Sequence, residues 1–397
     1  MKISADTSDV VGFTPYSIVE LPVSVSTANE YLTIHWDNGQ SSDFHYLWLR
    51  DNCTCAECVT TLTREQMFEI CDVPLDIKAE SVSISAENRL VVQWDFESHQ
   101  SSYHPGWLKT HCYSKEAREQ RKILPKIWDK QRISQELPVH AFANIMQQDD
   151  DLLVWLRDLR DYGVTLVTEV DTSGAALKAV AERIAFIRET NFGTLFEVKA
   201  KPNANSAAYT TLRLPLHTDL PTRELQPGLQ FLHCLVNDAS GGESILVDGF
   251  KIAEYMRVHH PDDFKALSTL SMSFYNKDKD SDYRFQGPPL VTDSSGAVVE
   301  VRLANFLRGP LDIPADQVMS LYSGYRRFMK LTRESKFQYF HRLNAGDLLV
   351  FDNRRVLHAR NAFDLRQGER HLQGCYVDRD ELLSRIRVLE RTSKLDA

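Results

Sequence analysis

The tightest constraint on the fold is the stretch Thr210 to Pro221, TTLRLPLHTDLP, read together with a histidine far downstream. Pro215 and Pro221 argue against a helix, so His217 and Asp219 belong to a strand end or loop, where residues two apart project to the same side. Held this way, an imidazole and a carboxylate offer two ligands to one metal ion. The third candidate is His358 in DLLVFDNRRVLHARNAF, delivered by an apolar run of strand character. Two histidines and one carboxylate form the facial triad that holds iron(II) and leaves three coordination positions open. A chain using this triad must lay two strands, distant in sequence, side by side.

His358 is followed by Arg370, which opens another β run, RHLQGCYVD. Neighbouring strands carrying these two residues would set a guanidinium deep in the fold, suited to bidentate capture of a carboxylate. A dicarboxylate co-substrate can then chelate the metal through its 2-oxo acid end and reach Arg370 with the other. Ser244, after Gly241, Gly242 and Glu243, adds a hydroxyl donor. Short β runs surround these residues, at 195–199, 229–236, 270–275, 298–303, 337–343, 347–351 and 371–377. Such spacing predicts a jelly roll, with helices at about 249–267, 315–334 and 379–391. Upstream, Leu152 to Asp161 has helical spacing that Tyr162-Gly163 ends, and VTLVTEV follows as a strand. A helix from about 173 puts Leu177, Val180, Ala181, Ile184 and Ile187 on one core-facing side, with Thr172 or Ser173 as its cap.

The N-terminal part differs in kind. From about 31 to 49 the pattern is two β runs around Asp37-Asn38-Gly39, and a second pair spans 82–86 and 90–95, giving a small β-rich unit. It contains Cys53, Cys55 and Cys58, too close together for a disulfide framework but suited to a tetrahedral zinc ion needing one more ligand. His99 is nominated as the fourth, with His104 and His111 nearby. Composition turns charged and helical after Trp107, which puts the boundary between a zinc-binding domain, 1–112, and an oxygenase domain, 113–397. A net charge of -9 argues against general nucleic-acid or anionic-membrane binding. No apolar run reaches the roughly 18 residues of a spanning helix, and MKISADTSDVVGF lacks the apolar core of a secretory signal, so a cytoplasmic location is expected.

Several segments together resemble one family. WLRDNCTCAEC and SHQSSYHPGWL are similar to the zinc loop and zinc histidine segment of the gamma-butyrobetaine dioxygenases, which supports His99 as the zinc ligand. AYTTLRLPLHTDLP, GGESILVDGF, FDNRRVLHARNAF and RHLQGCYVD resemble the family's iron and 2-oxoglutarate segments. This family of iron(II)- and 2-oxoglutarate-dependent oxygenases includes the trimethyllysine dioxygenases. The resemblance implies hydroxylation of a small trimethylammonium compound using O2, a structural zinc and a homodimer. It also implies an aromatic cage for the cation, at Phe192, Phe196, Tyr209 and Tyr376, acting by cation–π attraction. The chain departs from the carnitine-forming pattern at Ser206 and Ala304, where asparagines meet the substrate carboxylate, and at Leu220, where that pattern has tyrosine.

Three readings follow. The first is hydroxylation of gamma-butyrobetaine to carnitine. The second is the same chemistry on trimethyllysine or a trimethylammonium phosphonate, motivated by Ser206, Ala304 and Arg302, since Arg302 would share the strand face of Ala304 and receive the acidic end. The third is an inactive, zinc-stabilised binding protein, disfavoured by the complete triad with Arg370.

Overall fold

Alternation of apolar and polar residues locks the first part of the chain into sheets. The structure, a computed structural model, describes residues 16, 18–200 and 210–395, so the expectations for Ser206 and Tyr209 lie outside the described residues. The chain divides into two units, Met1–Ile123 and Leu124–Ala397. In the first, Pro22–Thr27, Tyr31–Trp36 and Ser41–His45 form an antiparallel sheet, and Ala79–Ile84, Leu90–Trp94 and Gln100–Tyr103 form a second. Gly39, at φ +79°, closes the expected hairpin. Leu32, Ile34, Trp36, Phe44, Val92 and Trp94 share one core. The indole N–H groups find partners there, Trp36 on Ser42 Oγ at 3.0 Å and Trp94 on Ser101 Oγ at 2.9 Å.

Two expectations change in this unit. The second β run stops at His45, and Tyr46–Asp51 is a helix that turns Leu49 and Arg50 inward. The unit also extends beyond 112 to Ile123. The physical reason is Tyr113, whose ring packs edge-on against Phe44 and Trp48 and whose hydroxyl accepts the His45 N–H at 2.7 Å. Those partners are distant in sequence, so the composition shift after Trp107 marks a helical extension of the first unit.

In the second unit, the helix Asp149–Tyr162 opens with three acidic residues, favourable at a helix N-terminus, and ends on Gly163 at φ +70°. The next helix starts at Ala176; neither Thr172 nor Ser173 caps it, because Asp171 Oδ1 instead accepts the Ser173 N–H at 2.8 Å. The helix expected over 249–267 is two, Gly249–His259 and Pro261–Thr269, since Pro261 cannot continue the first.

Among the described residues, two larger sheets, beside three two-stranded ones, carry the rest. The larger orders its strands Val139–Ala141, Val164–Thr168, Leu348–Asp352, Leu229–Asn237, Arg370–Val377 and Phe196–Val198, with only the first pair parallel. The smaller orders Leu214–His217, Val356–Arg360, Ser244–Asp248 and Tyr339–His341. Arg355, between the sheets in sequence, is 1% exposed and grips Asp248 with Nε at 3.1 Å and Nη2 at 2.9 Å. The same guanidinium donates to the Asp161 and Lys126 carbonyls. Asp248→Ala would leave that cation buried without its carboxylate, so urea denaturation should find the variant less stable by about 3–5 kcal/mol.

Candidate active site

Strand alternation brings the expected residues to one cavity. On Val356–Arg360, His358 and Arg360 face the same way; on Arg370–Val377, so do Arg370, Leu372 and Tyr376. Together with Gln230, Leu232, Phe196 and Val198 they line a cavity of about 360 Å³, which His217, Asp219 and Ser244 also border. His217 pairs directly with His358 in the antiparallel ladder, and Ser244 sits opposite Arg360.

The triad converges. His217 Nε2 lies 3.1 Å from Asp219 Oδ1 and His358 Nε2 lies 3.6 Å from the same oxygen. His217 Nδ1 donates to the Pro215 carbonyl at 2.8 Å, which leaves Nε2 as the lone-pair nitrogen aimed at Asp219. Burial and the neighbouring His217 lower the His358 pKa, favouring the neutral imidazole a metal requires. Burial alone would raise the Asp219 carboxyl, but the His358 and His217 imidazoles hold it well below the usual carboxylate range. Cis positions of an octahedron with bonds near ~2.1 Å lie about 3 Å apart, so this donor set fits one six-coordinate ion.

Asp219 is held by a residue that the sequence reading did not single out. Asn353, fully buried, accepts the Asp219 N–H through Oδ1 at 2.6 Å and donates through Nδ2 to the Asp219 carbonyl at 3.1 Å. The following residue, Leu220, has φ +51°, a conformation that costs a non-glycine residue about 1–2 kcal/mol. The amide clamp offsets that strain. Tyr376 completes the support, donating to Asp219 Oδ2 at 2.7 Å.

At one end of the cavity two cations lie together. Arg370 is 4% exposed, gives one hydrogen bond to the Gly242 carbonyl at 3.3 Å, and has an Nε without a partner among the described residues. Burial, with Arg342 nearby, brings its pKa down to about 10; burial and Arg370 do the same to Arg360. A buried guanidinium with an unused donor fits an incoming carboxylate. Arg360 was missed, although its i, i+2 spacing from His358 was the available signal. Gly242 must be glycine here: its φ is +73°, and a Cβ would lie 2.8 Å from Arg370 Nε.

Phe192, Phe196 and Tyr376 cluster on the cavity wall, with the Phe196 and Tyr376 ring centroids 5.0 Å apart. Arg302 does not join them. It is 3% exposed, paired with Glu300 at 2.9 Å, bonded to the Pro221 and Glu224 carbonyls, and stacked on Phe285 at 3.7 Å. The strand expected to reach 303 ends at Val301; Ala304 bridges His217, while the Arg302 guanidinium is taken up by Glu300 and the carbonyls of the 221–224 turn.

The other cluster belongs to the first unit. Cys53, Cys55 and Cys58 Sγ lie 3.4, 3.7 and 3.6 Å from His99 Nε2. A tetrahedron with ~2.3 Å sulfur and ~2.05 Å nitrogen bonds puts these atoms about 3.6 Å apart, so the residues fit zinc. His104 caps the helix Pro105–His111 and His111 bonds the Trp107 carbonyl, which leaves His99 in the cluster. Burial and Cys53 push the Cys58 thiol up to about 12, while Arg50 donates to its sulfur at 3.3 Å.

Residues 121–376 match the family described as "Taurine catabolism dioxygenase TauD, TfdA family", and 23–95 match "Gamma-butyrobetaine hydroxylase-like, N-terminal". The gamma-butyrobetaine dioxygenase of Pseudomonas sp. (strain AK-1) is 51% identical over 382 residues, covering 96% of this chain and 100% of the relative. The Homo sapiens gamma-butyrobetaine dioxygenase is 31% identical over 374 residues, covering 91% and 94%. The Homo sapiens mitochondrial trimethyllysine dioxygenase is 30% identical over 390 residues, covering 93% and 91%.

Removing the amide clamp tests the metal site. Asn353→Ala should retain at least about tenfold less Fe(II) after gel filtration at limiting iron. Equal iron content in variant and wild type would show the clamp to be dispensable.

Proposed function

The chain belongs to the TauD, TfdA family of dioxygenases, among the gamma-butyrobetaine and trimethyllysine dioxygenases, and from that premise we propose that it hydroxylates a small trimethylammonium acid, with gamma-butyrobetaine to carnitine as the first assignment. The convergence of His217, Asp219 and His358 on one point beside an aromatic wall carries this reading. Bound iron(II), with 2-oxoglutarate and O2, supplies the oxidative chemistry. The protein's part is binding, orientation and exclusion of water. Arg370, assisted by Arg360 and Ser244, takes the distal carboxylate of 2-oxoglutarate. Phe192, Phe196 and Tyr376 face the substrate cation, an attraction worth about 2 kcal/mol when desolvated. His217, Asp219 and His358 would hold the metal.

The same proposal treats the two sheets of the second unit as a double-stranded β-helix, or jelly roll, and the Cys53, Cys55, Cys58 and His99 cluster as a structural zinc site. Three sulfurs and one imidazole fill a tetrahedron, so that ion has no position for substrate. The homodimer is proposed on the family resemblance, and a cytoplasmic setting on thiols that a metal site needs reduced. The engagement of Arg302 elsewhere removes one motive for a phosphonate substrate, and the cation wall keeps trimethyllysine as the second candidate.

A panel of trimethylammonium acids, scored by substrate-dependent succinate and a product heavier by one oxygen, should single out gamma-butyrobetaine. His217→Ala should make no succinate with any of them, and turnover at full iron loading in that variant would sink the triad assignment. For the N-terminal cluster, metal analysis should find one zinc per chain, and chelation should lower the first unfolding transition. Protein free of zinc with an unchanged melting curve counts against the site.

A further inference from the structure

Tyr376 stands at the junction of two parts of the site that have separate jobs. Its ring belongs to the aromatic wall, while its hydroxyl touches a metal-ligand candidate. The Oη donates to Asp219 Oδ2 at 2.7 Å, whereas Asp219 Oδ1 is the oxygen approached by His217 Nε2 at 3.1 Å and His358 Nε2 at 3.6 Å. The two carboxylate oxygens are therefore differentiated: one is tethered and the other is presented. Asn353 already fixes the Asp219 backbone from both sides, so rotation of the carboxylate is the freedom left, and the phenol removes it.

The tether is itself rigid. Tyr376 is 3% exposed and its carbonyl accepts the Arg188 N–H at 2.8 Å. Phe196 packs beside it, lying so close over Gly374 that a Cβ there would sit 2.5 Å from the Phe196 ring. A phenol held this firmly selects one carboxylate orientation.

We propose that Tyr376 is a positioning residue for Asp219, holding Oδ2 so that Oδ1 alone is offered to the metal, and that one side chain thereby serves both the cation wall and the metal ligand. This rests on the dioxygenase reading of the site. Tyr376→Phe keeps the π face and deletes only the hydroxyl. Phe196→Leu removes a neighbouring wall ring that does not touch Asp219.

The test is a Co(II) titration of the metal-free triad, followed by d–d absorbance on zinc-loaded protein, alongside KM for the cation and the ratio of hydroxylated product to succinate. Tyr376→Phe should weaken Co(II) binding about tenfold or more and lower the product ratio. Its cation KM should stay within about twofold, because cation–π attraction needs the ring only. Phe196→Leu should do the reverse, raising KM with Co(II) affinity unchanged. Should Tyr376→Phe lower the baseline Tm, the Co(II)-induced increment in Tm within each variant still reads the affinity. Unchanged Co(II) affinity in Tyr376→Phe overturns the inference, as does an equal loss in both variants, which would indicate general loosening. Wild-type protein that binds no Co(II) would overturn the iron assignment itself, a result distinguishable from a wild type that binds and a Tyr376→Phe that binds equally well.

Discussion

Four consecutive side chains in the connection Asp352–Arg355 hold the second unit around its cavity. Asp352 pairs with Arg379, Asn353 clamps the backbone of Asp219, Arg354 pairs with Glu300, and Arg355 grips Asp248. This connection leads from a strand of the larger sheet to Val356–Arg360 in the smaller one. Its anchors thus fix where the smaller sheet starts, and so the register in which His358 meets His217. A slip by one residue would turn His358 and Arg360 out of the cavity together.

The buried arginines divide by the company they keep. Arg355 and Arg302 each have a buried carboxylate, Asp248 and Glu300, and each also satisfies backbone carbonyls. Their charges are consumed by the fold. Among the described residues Arg370 has no such acid, and its one hydrogen bond goes to the Gly242 carbonyl. Desolvating a guanidinium without an ion partner is costly, and a protein tolerates it where an anion is to arrive. That asymmetry separates Arg370, the cation proposed to meet the co-substrate, from the structural ones better than burial does, since all three are nearly inaccessible.

Much of the site was legible because ligand chemistry depends on residue type and spacing. His217-x-Asp219 and the bunched thiols carried their meaning locally, and Arg370 was marked by its place at the start of a β run after His358. What failed depended on long-range contacts. Arg302 was placed by strand parity, which holds only while the strand lasts, and it ends at Val301. The domain boundary was read from composition, but Tyr113 returns to Phe44 and Trp48. Asn353 and Arg355 sit in a polar connection that reads as a solvated turn, yet they are 0% and 1% exposed. Nothing within that segment announces which partners it will meet.

The strand Arg370–Val377 gives the cavity its polarity. Arg370 opens it and Tyr376 nearly closes it, both facing inward; at about 3.3 Å per residue their Cα atoms stand about 20 Å apart. One strand therefore carries a buried guanidinium at one end and an aromatic ring at the other, the latter with its hydroxyl on Asp219. The strand is an interior member of its sheet, paired along its length with Leu229–Asn237 and over Leu372–Gly374 with Phe196–Val198. The arrangement suits the proposed reaction, which needs an anion site for the dicarboxylate and an aromatic wall for the cation in one cavity.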